Sequence, residues 1–280
     1  DLHLSDRRQR QMCIRDRDKV ARRLVESTLT SVRLPYPPIS EFGEVIGNAN
    51  VESVTSRGKA LLMRFDNGLT LYSHSQLYGR WTVNRVTTKV RWNRSLRAEF
   101  ISKGYAVRLW SATDVEVVPT RDEEGHPYIA KLGPDVLDKT TTPDVIKNRL
   151  ESPRFNGRSA ASLMLDQSFV AGLGNYLRSE ILHQAGVHPK TRPKDLGSET
   201  ITKWGSLTKS ISIRSYESNG LTVSDELAGK RKEMGERRRS YRHSAFCRNG
   251  KDCHVCGATI IRIRVSGRRL DMCPECQVES

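Results

Sequence analysis

The sequence predicts an α+β fold: an N-terminal lobe of antiparallel strands (a β-sandwich or flattened barrel), then a helical lobe, then a short C-terminal hairpin. Three observations predict it. Residues 51–118 alternate apolar and polar side chains between turn signals, residues 142–213 change to helical apolar spacing, and four of the six cysteines form two tight pairs near the C-terminus. A chain of 280 residues can fill two moderate units, drawn here at 18–125 and 126–244, with the hairpin at 245–280.

The first seventeen residues, DLHLSDRRQRQMCIRDR, have neither the apolar centre of a secretion signal nor an amphipathic pattern, and read as foreign or disordered sequence. From Asp18 onward Val20, Leu24 and Val25 mark one face of a short helix, which the proline-rich run Leu34-Pro35-Tyr36-Pro37-Pro38 excludes from continuing. Strands are expected at Ala60–Phe65 and 69–72 about Asp66-Asn67-Gly68, at Leu96–Ser102 and Tyr105–Trp110 about Lys103-Gly104, and at 114–118. Thr142-Pro143-Asp144 starts a helix with proline in its first turn, and further helices are expected at 159–170, 175–186 and 197–213. Residues 215–244 are dense in Lys and Arg with weak periodicity, and read as a mobile basic loop or a solvated charge run.

The stretch QSFVAGLGNYLRSE, residues 167–180, reads as one helix stopping, a glycine turn and a second helix starting, with Asn175 at the N-cap. It is either an ordinary helical corner or an anion-binding concavity, since free N–H groups and a helix dipole favour a phosphate there. The charge favours a polyanion as partner: a formal net +15 and a pI near 9.8 exceed what solubility requires. A spanning helix is excluded, because no apolar run reaches about 18 residues, so no membrane partner is expected.

Cys253-x2-Cys256 and Cys273-x2-Cys276 stand sixteen residues apart, which is the spacing of a structural tetrathiolate zinc site with no open coordination position. The connecting hairpin turns at Ser266-Gly267-Arg268-Arg269, whose arginines suit phosphates. Cys247 reads as a spare structural thiol. In the strand lobe, Gln76-Leu77-Tyr78-Gly79 places an amide, an apolar side chain and an aromatic side by side; they are either a strand end or a wedge that enters a base stack. Lys59, after Arg57-Gly58, is either a surface lysine or, beside a nucleic-acid groove, a phosphate contact or proton donor.

Taken together, RGKALL, SHSQLYG, HPYIAKLGPDVL, LDQSFVAGLGNYLRSEIL and SGRRLDMCPEC resemble the endonuclease VIII branch of the formamidopyrimidine-DNA glycosylase family, from about Asp18 to Gln277. The resemblance implies a helix–two-turn–helix in the helical lobe and base excision repair of oxidised pyrimidines in duplex DNA. In that family the amine of an N-terminal proline attacks C1′ of a flipped nucleotide, assisted by the adjacent glutamate. The Schiff base then undergoes β- and δ-elimination, so one site is glycosylase and AP lyase. Carried over by motif, Lys59 and Arg268 are the catalytic candidates, Gln76, Leu77 and Tyr78 the void-filling wedge, and Asn175 and Arg268 the phosphate grip. Lys131 stands where the branch has a DNA-binding arginine, keeping the charge without the bidentate fork. Cys253, Cys256, Cys273 and Cys276 hold the zinc. A monomer in the bacterial cytoplasm, at the nucleoid, is implied.

One departure is chemical. The family opens on Pro-Glu-Gly-Pro-Glu, and the matching first two positions here are Arg8 and Gln9, which supply neither a free secondary amine nor a carboxyl group. The expectation is that unrelated sequence replaces the true start, leaving a chain that binds damaged or abasic DNA with little glycosylase activity. A non-enzymatic zinc-ribbon DNA-binding protein is the alternative; an RNA-binding factor fits the wedge less well.

Overall fold

The computed structural model describes the backbone of residues 9–76, 78–90, 93–265 and 267–279, with side chains from Asp16 onward. Two compact units divide between Lys131 and Leu132. The division falls a few residues after the sequence-derived boundary because His126, Tyr128 and Ile129 pack on Tyr72 and its neighbours in the strand unit.

In the first unit α1 (Gln9–Leu24) leads to β1 (Ser31–Arg33) and two single-turn helices, α2 (Pro37–Ser40) and α3 (Gly43–Gly47). The strands β2 (Val51–Arg57), β3 (Ala60–Phe65), β4 (Leu69–His74), β5 (Arg80–Arg85), β6 (Leu96–Ser102), β7 (Tyr105–Trp110) and β8 (Asp114–Pro119) follow. They form two four-stranded antiparallel sheets, ordered β2-β3-β4-β8 and β1-β6-β7-β5. Alternation supplies the inner faces: Leu61, Met63, Phe65 and Leu71 from one sheet meet Trp81, Ala98, Phe100, Val107 and Leu109 from the other in one buried core. The turns match their chemistry. Gly68 takes φ +80 between β3 and β4, and Lys103 and Gly104 both take positive φ between β6 and β7. Helix α1 reaches N-terminal of Asp18, where the sequence shows no amphipathic pattern, and Asp16 is buried on it.

In the second unit α4 (Pro143–Glu151), α5 (Ala160–Leu163), α6 (Asn175–Ala185), α7 (Ser198–Glu217), α8 (Asp225–Glu233) and α9 (Arg238–Tyr241) precede the hairpin β9 (Ile261–Val265) and β10 (Arg268–Met272). Thr142 caps α4 as expected, accepting from the Val145 N–H at 3.3 Å. The expected helix over 159–170 is only the single turn α5. Beyond it, side chains outcompete the helical ladder: the Asp166 carboxylate accepts from the Ser168 N–H at 2.7 Å. Gln167 takes the Gly172 N–H at 3.1 Å and donates to the Leu165 and Leu173 carbonyls. The chain also passes close here: a Cβ on Gly133 would lie 2.5 Å from the Ser168 carbonyl oxygen, so only glycine fits.

Two helices form within 215–244, where the sequence gives a loop. Helix α8 buries no residue and therefore shows no apolar period. Local terms make it: Ser224 caps the Leu227 N–H at 3.2 Å, Asp225 and Glu226 occupy the first turn, Lys230, Arg231 and Lys232 occupy the last, and Glu226 pairs with Lys230 at 2.7 Å.

Candidate nucleic-acid interface and metal centre

One end of the β2-β3-β4-β8 sheet gathers the strand-lobe candidates. Lys59 follows Gly58, which takes φ +58 in the β2–β3 turn, and its backbone N–H donates to the Tyr128 hydroxyl at 3.1 Å. The register pairs Ala60 with His74, so the loop after β4 emerges beside Lys59. On that loop Gln76 is exposed with φ +41, its carbonyl accepting from the Thr113 hydroxyl at 3.1 Å, and Tyr78 is 58% exposed. Leu77 and Arg8 lie outside the described residues, as does the Gln9 side chain. The loop closes tightly, because a Cβ on Gly79 would meet the Ser75 backbone at 2.6 Å. Lys131 is exposed at the end of a 3-10 turn, three residues after Tyr128.

Behind Lys59 lies a polar aromatic cluster. The Tyr72 hydroxyl donates to Asp114 at 3.3 Å, His74 lies 3.8 Å from the same carboxylate, and the Tyr128 ring packs on His74 at 4.8 Å. Burial lowers the His74 pKa and the nearby Lys59 charge lowers it further, against the opposing pull of Asp114. Lys59 thus stands before a neutral histidine rather than a second cation.

In the helical unit Asn175 is not the N-cap. Gly174 is, and Asn175 begins α6 with only 5% of its surface exposed. Its side chain points to the hairpin: Nδ2 donates to the Arg269 carbonyl at 2.9 Å, and Oδ1 accepts from Arg178 at 2.6 Å. Arg178, fully buried, donates to the same Arg269 carbonyl at 3.0 Å. The first turn of α6 is therefore bolted to β10 one residue after the exposed Arg268, which brings Asn175 and Arg268 to one place in this unit.

The four paired cysteines converge. Their Sγ atoms all lie within 4.8 Å of one another, with Cys253 to Cys276 at 3.9 Å and Cys256 to Cys273 at 3.4 Å. Four thiolates about 2.3 Å from one tetrahedral ion stand about 3.8 Å apart, so the cluster fits a metal. Knuckle N–H groups reach the sulfurs, Val255 to Cys253 and Cys276 to Cys273, each at 3.4 Å. His183 adds its Nε2 at 3.3 Å from Cys253 Sγ, and burial pushes its pKa down to about 4, keeping the ring neutral.

The model of the formamidopyrimidine-DNA glycosylase N-terminal domain matches residues 15–112, and that of the formamidopyrimidine-DNA glycosylase H2TH domain matches 132–225. Endonuclease 8 of Escherichia coli O17:K52:H18 is 38% identical over 249 residues, covering 89% of this chain and 91% of the relative. The chain belongs to this glycosylase family. Endonuclease 8 of Shigella sonnei matches at the same identity and coverage. Among solved structures, Lactococcus lactis formamidopyrimidine-DNA glycosylase bound to DNA containing an AP site has TM-score 0.77 at 19% identity, covering 97% of this chain and 100% of that one. The same enzyme with an oxidised-pyrimidine DNA has TM-score 0.78 at 19% identity, covering 97% and 100%. At that identity the likeness speaks for the glycosylase fold.

Sequence reasoning missed the residues that hold the candidate elements in place. Gln167 pins the glycine turn and Arg178 pins the hairpin. Glu180, also fully buried, accepts from the Ser244, Ala245 and Phe246 N–H groups at 2.7, 2.8 and 2.7 Å and from the Thr222 hydroxyl at 2.5 Å. A charged residue on the apolar face of a helical stretch is the signal that could have found Arg178 and Glu180.

Proposed function

We propose that this chain is an endonuclease VIII-type DNA repair protein that binds duplex DNA at oxidised pyrimidines or abasic sites, built for excision followed by β,δ-elimination. The observation that carries this reading is the Endonuclease 8 match over 89% of the chain. The geometry supports it. Lys59 sits at a sheet end beside the exposed Gln76 and Tyr78, where a wedge would enter a base stack and a lysine would reach a reacting sugar. Lys59 is the proton donor in the β-elimination, Arg268 grips the phosphate beside the lesion, and Lys131 neutralises a flanking phosphate. Gln76, Leu77 and Tyr78 fill the space left by the extruded base. Asn175 offers its backbone N–H at the start of α6 to a phosphate, while its side chain holds the hairpin that carries Arg268.

Zn2+ is the ion that best suits Cys253, Cys256, Cys273 and Cys276, since the four-thiolate cage leaves no coordination position for substrate. Its contribution would be to hold the hairpin. No helix among the described residues is long and apolar enough to cross a membrane. The matching relatives are bacterial, and the reading here is a monomer acting in the bacterial cytoplasm.

Counting back along the motif, the family's proline and glutamate fall near Arg8 and Gln9, which offer neither a secondary amine nor a carboxyl group for imine chemistry. Borohydride trapping on an abasic duplex tests the reading. The 280-residue chain is expected to bind without a covalent adduct, and a chain begun at position 8 with Arg8→Pro and Gln9→Glu is expected to trap efficiently. A strong adduct from the unaltered chain overturns the loss of the nucleophile. Binding without trapping by the restored chain leaves the zinc-ribbon binding module as the better reading.

A further inference from the structure

A cleft of about 390 Å³ lies between α1 and β5, within the first unit. Strand β5 is the edge of its sheet: among the described residues its only strand partner is β7, and on its other side the Trp81 N–H meets Asp16 of α1. Lys19, Arg22 and Arg23 line it from α1 and Arg80 from β5. Elsewhere in this unit several arginines meet carboxylates: Arg64 meets Glu123, Arg108 meets Glu99 and Arg57 meets Glu124. Among the described residues no such ion pair involves Lys19, Arg22 or Arg23. Arg23 is nonetheless held, its guanidinium lying 3.8 Å from the centre of the Tyr105 ring.

The geometry points to a phosphate-ester binding site in this cleft, recognising the anion through Lys19, Arg22, Arg23 and Arg80, none of which the proposed repair site uses. Its volume lies within the range of small-molecule sites, roughly 300–1,000 Å³, and is sufficient for a nucleotide. Guanidinium forks match phosphate oxygens in pairs, and four cations around one cleft suit a multiply charged phosphate better than a singly charged carboxylate or halide. A base has no aromatic platform here, because Arg23 covers the Tyr105 face and Trp81 is buried, so charge rather than base identity is read. The one acid lining the cleft, Asp16, accepts from the Trp81 N–H and feels the charges of Lys19 and Arg80. Its burial favours the neutral form, which opposes an incoming anion less than an exposed aspartate would.

The ligand is either a free phosphate ester or the backbone of a nucleic-acid strand, and the two share this chemistry. Titrating pyrophosphate into the full chain at low salt should reveal a saturable site of one anion per chain. Arg22→Gln/Arg23→Gln, and separately Arg80→Gln, should weaken it about tenfold or more. Lys194→Gln/Lys203→Gln, which removes equal charge from the other unit, should leave it unchanged. A short single-stranded oligonucleotide that displaces pyrophosphate identifies the ligand as a strand backbone; failure to displace it identifies a free ester. Absence of saturable binding, retention in the Arg22/Arg23 and Arg80 variants, or equal weakening in the control pair overturns the site. Binding of an abasic-site duplex, followed in the same variants, tests the repair reading separately, because Lys59 and the hairpin are untouched.

Discussion

Glu180 gathers three backbone N–H groups and the Thr222 hydroxyl onto one buried carboxylate, so it anchors both ends of the basic segment that carries α8 and α9. Glu180→Gln replaces an acceptor with an amide N–H facing donors, and should destabilise the chain by about 2–4 kcal/mol in urea denaturation, with faster hydrogen exchange at 244–246. Asp16 carries a pH dependence. Burial raises its pKa from 3.8 to about 7, against the smaller pull of Lys19 and Arg80. The folded chain therefore holds a proton that the unfolded chain releases near pH 4, and stability falls as pH rises from there to about 7. Asp16→Asn should raise the melting temperature at pH 8 and leave it nearly unchanged at pH 4; an equal gain at both would mean that Asp16 is not buried as a carboxyl. Both residues are charged in the sequence and invisible as core, because composition carries no record of which charge is desolvated.

At the scale of elements, the hairpin β9–β10 and helix α6 stand or fall together. The Arg269 carbonyl takes hydrogen bonds from Asn175 and Arg178, and the Asp271 carboxylate takes the Cys247 N–H at 2.6 Å and Arg262 at 2.6 Å. Stripping the metal with a chelator should free the four thiols, lower the melting temperature and weaken DNA binding; unchanged melting after verified metal loss would remove the cage from the fold's supports. The loop at Gln76–Tyr78 depends on a different device. Gly79→Ala drives a methyl into the Ser75 backbone and should cost about 1–3 kcal/mol while weakening affinity for an abasic duplex. The hairpins and the α4 cap were legible because each has a local cause: Asn67-Gly68, Lys103-Gly104 and Thr142-Pro143 act within a few residues. Helix α8 was not read because its cause is capping and dipole charge rather than burial, and 164–170 was overread because Asp166 and Gln167 divert the backbone from a helix that its apolar spacing favours.

For the whole molecule, a net charge of +15 makes attachment to DNA steeply dependent on salt. Lys131→Ala should weaken binding uniformly across sequences and reduce the slope of log affinity against log salt by about one unit; an unchanged slope would separate Lys131 from the phosphates. The sequence by itself determined the architecture, the metal cage and the family, since strand alternation, cysteine spacing and motif order are written in residues near one another along the chain. Only the tertiary structure decided that Asn175 turns its side chain to the hairpin, that Glu180 and Arg178 are interior anchors, and that Lys19, Arg22, Arg23 and Arg80 face one cleft. Those facts depend on partners from 91 residues away, as for Arg178 and Arg269, and on how water is excluded around each charge, which no local pattern encodes.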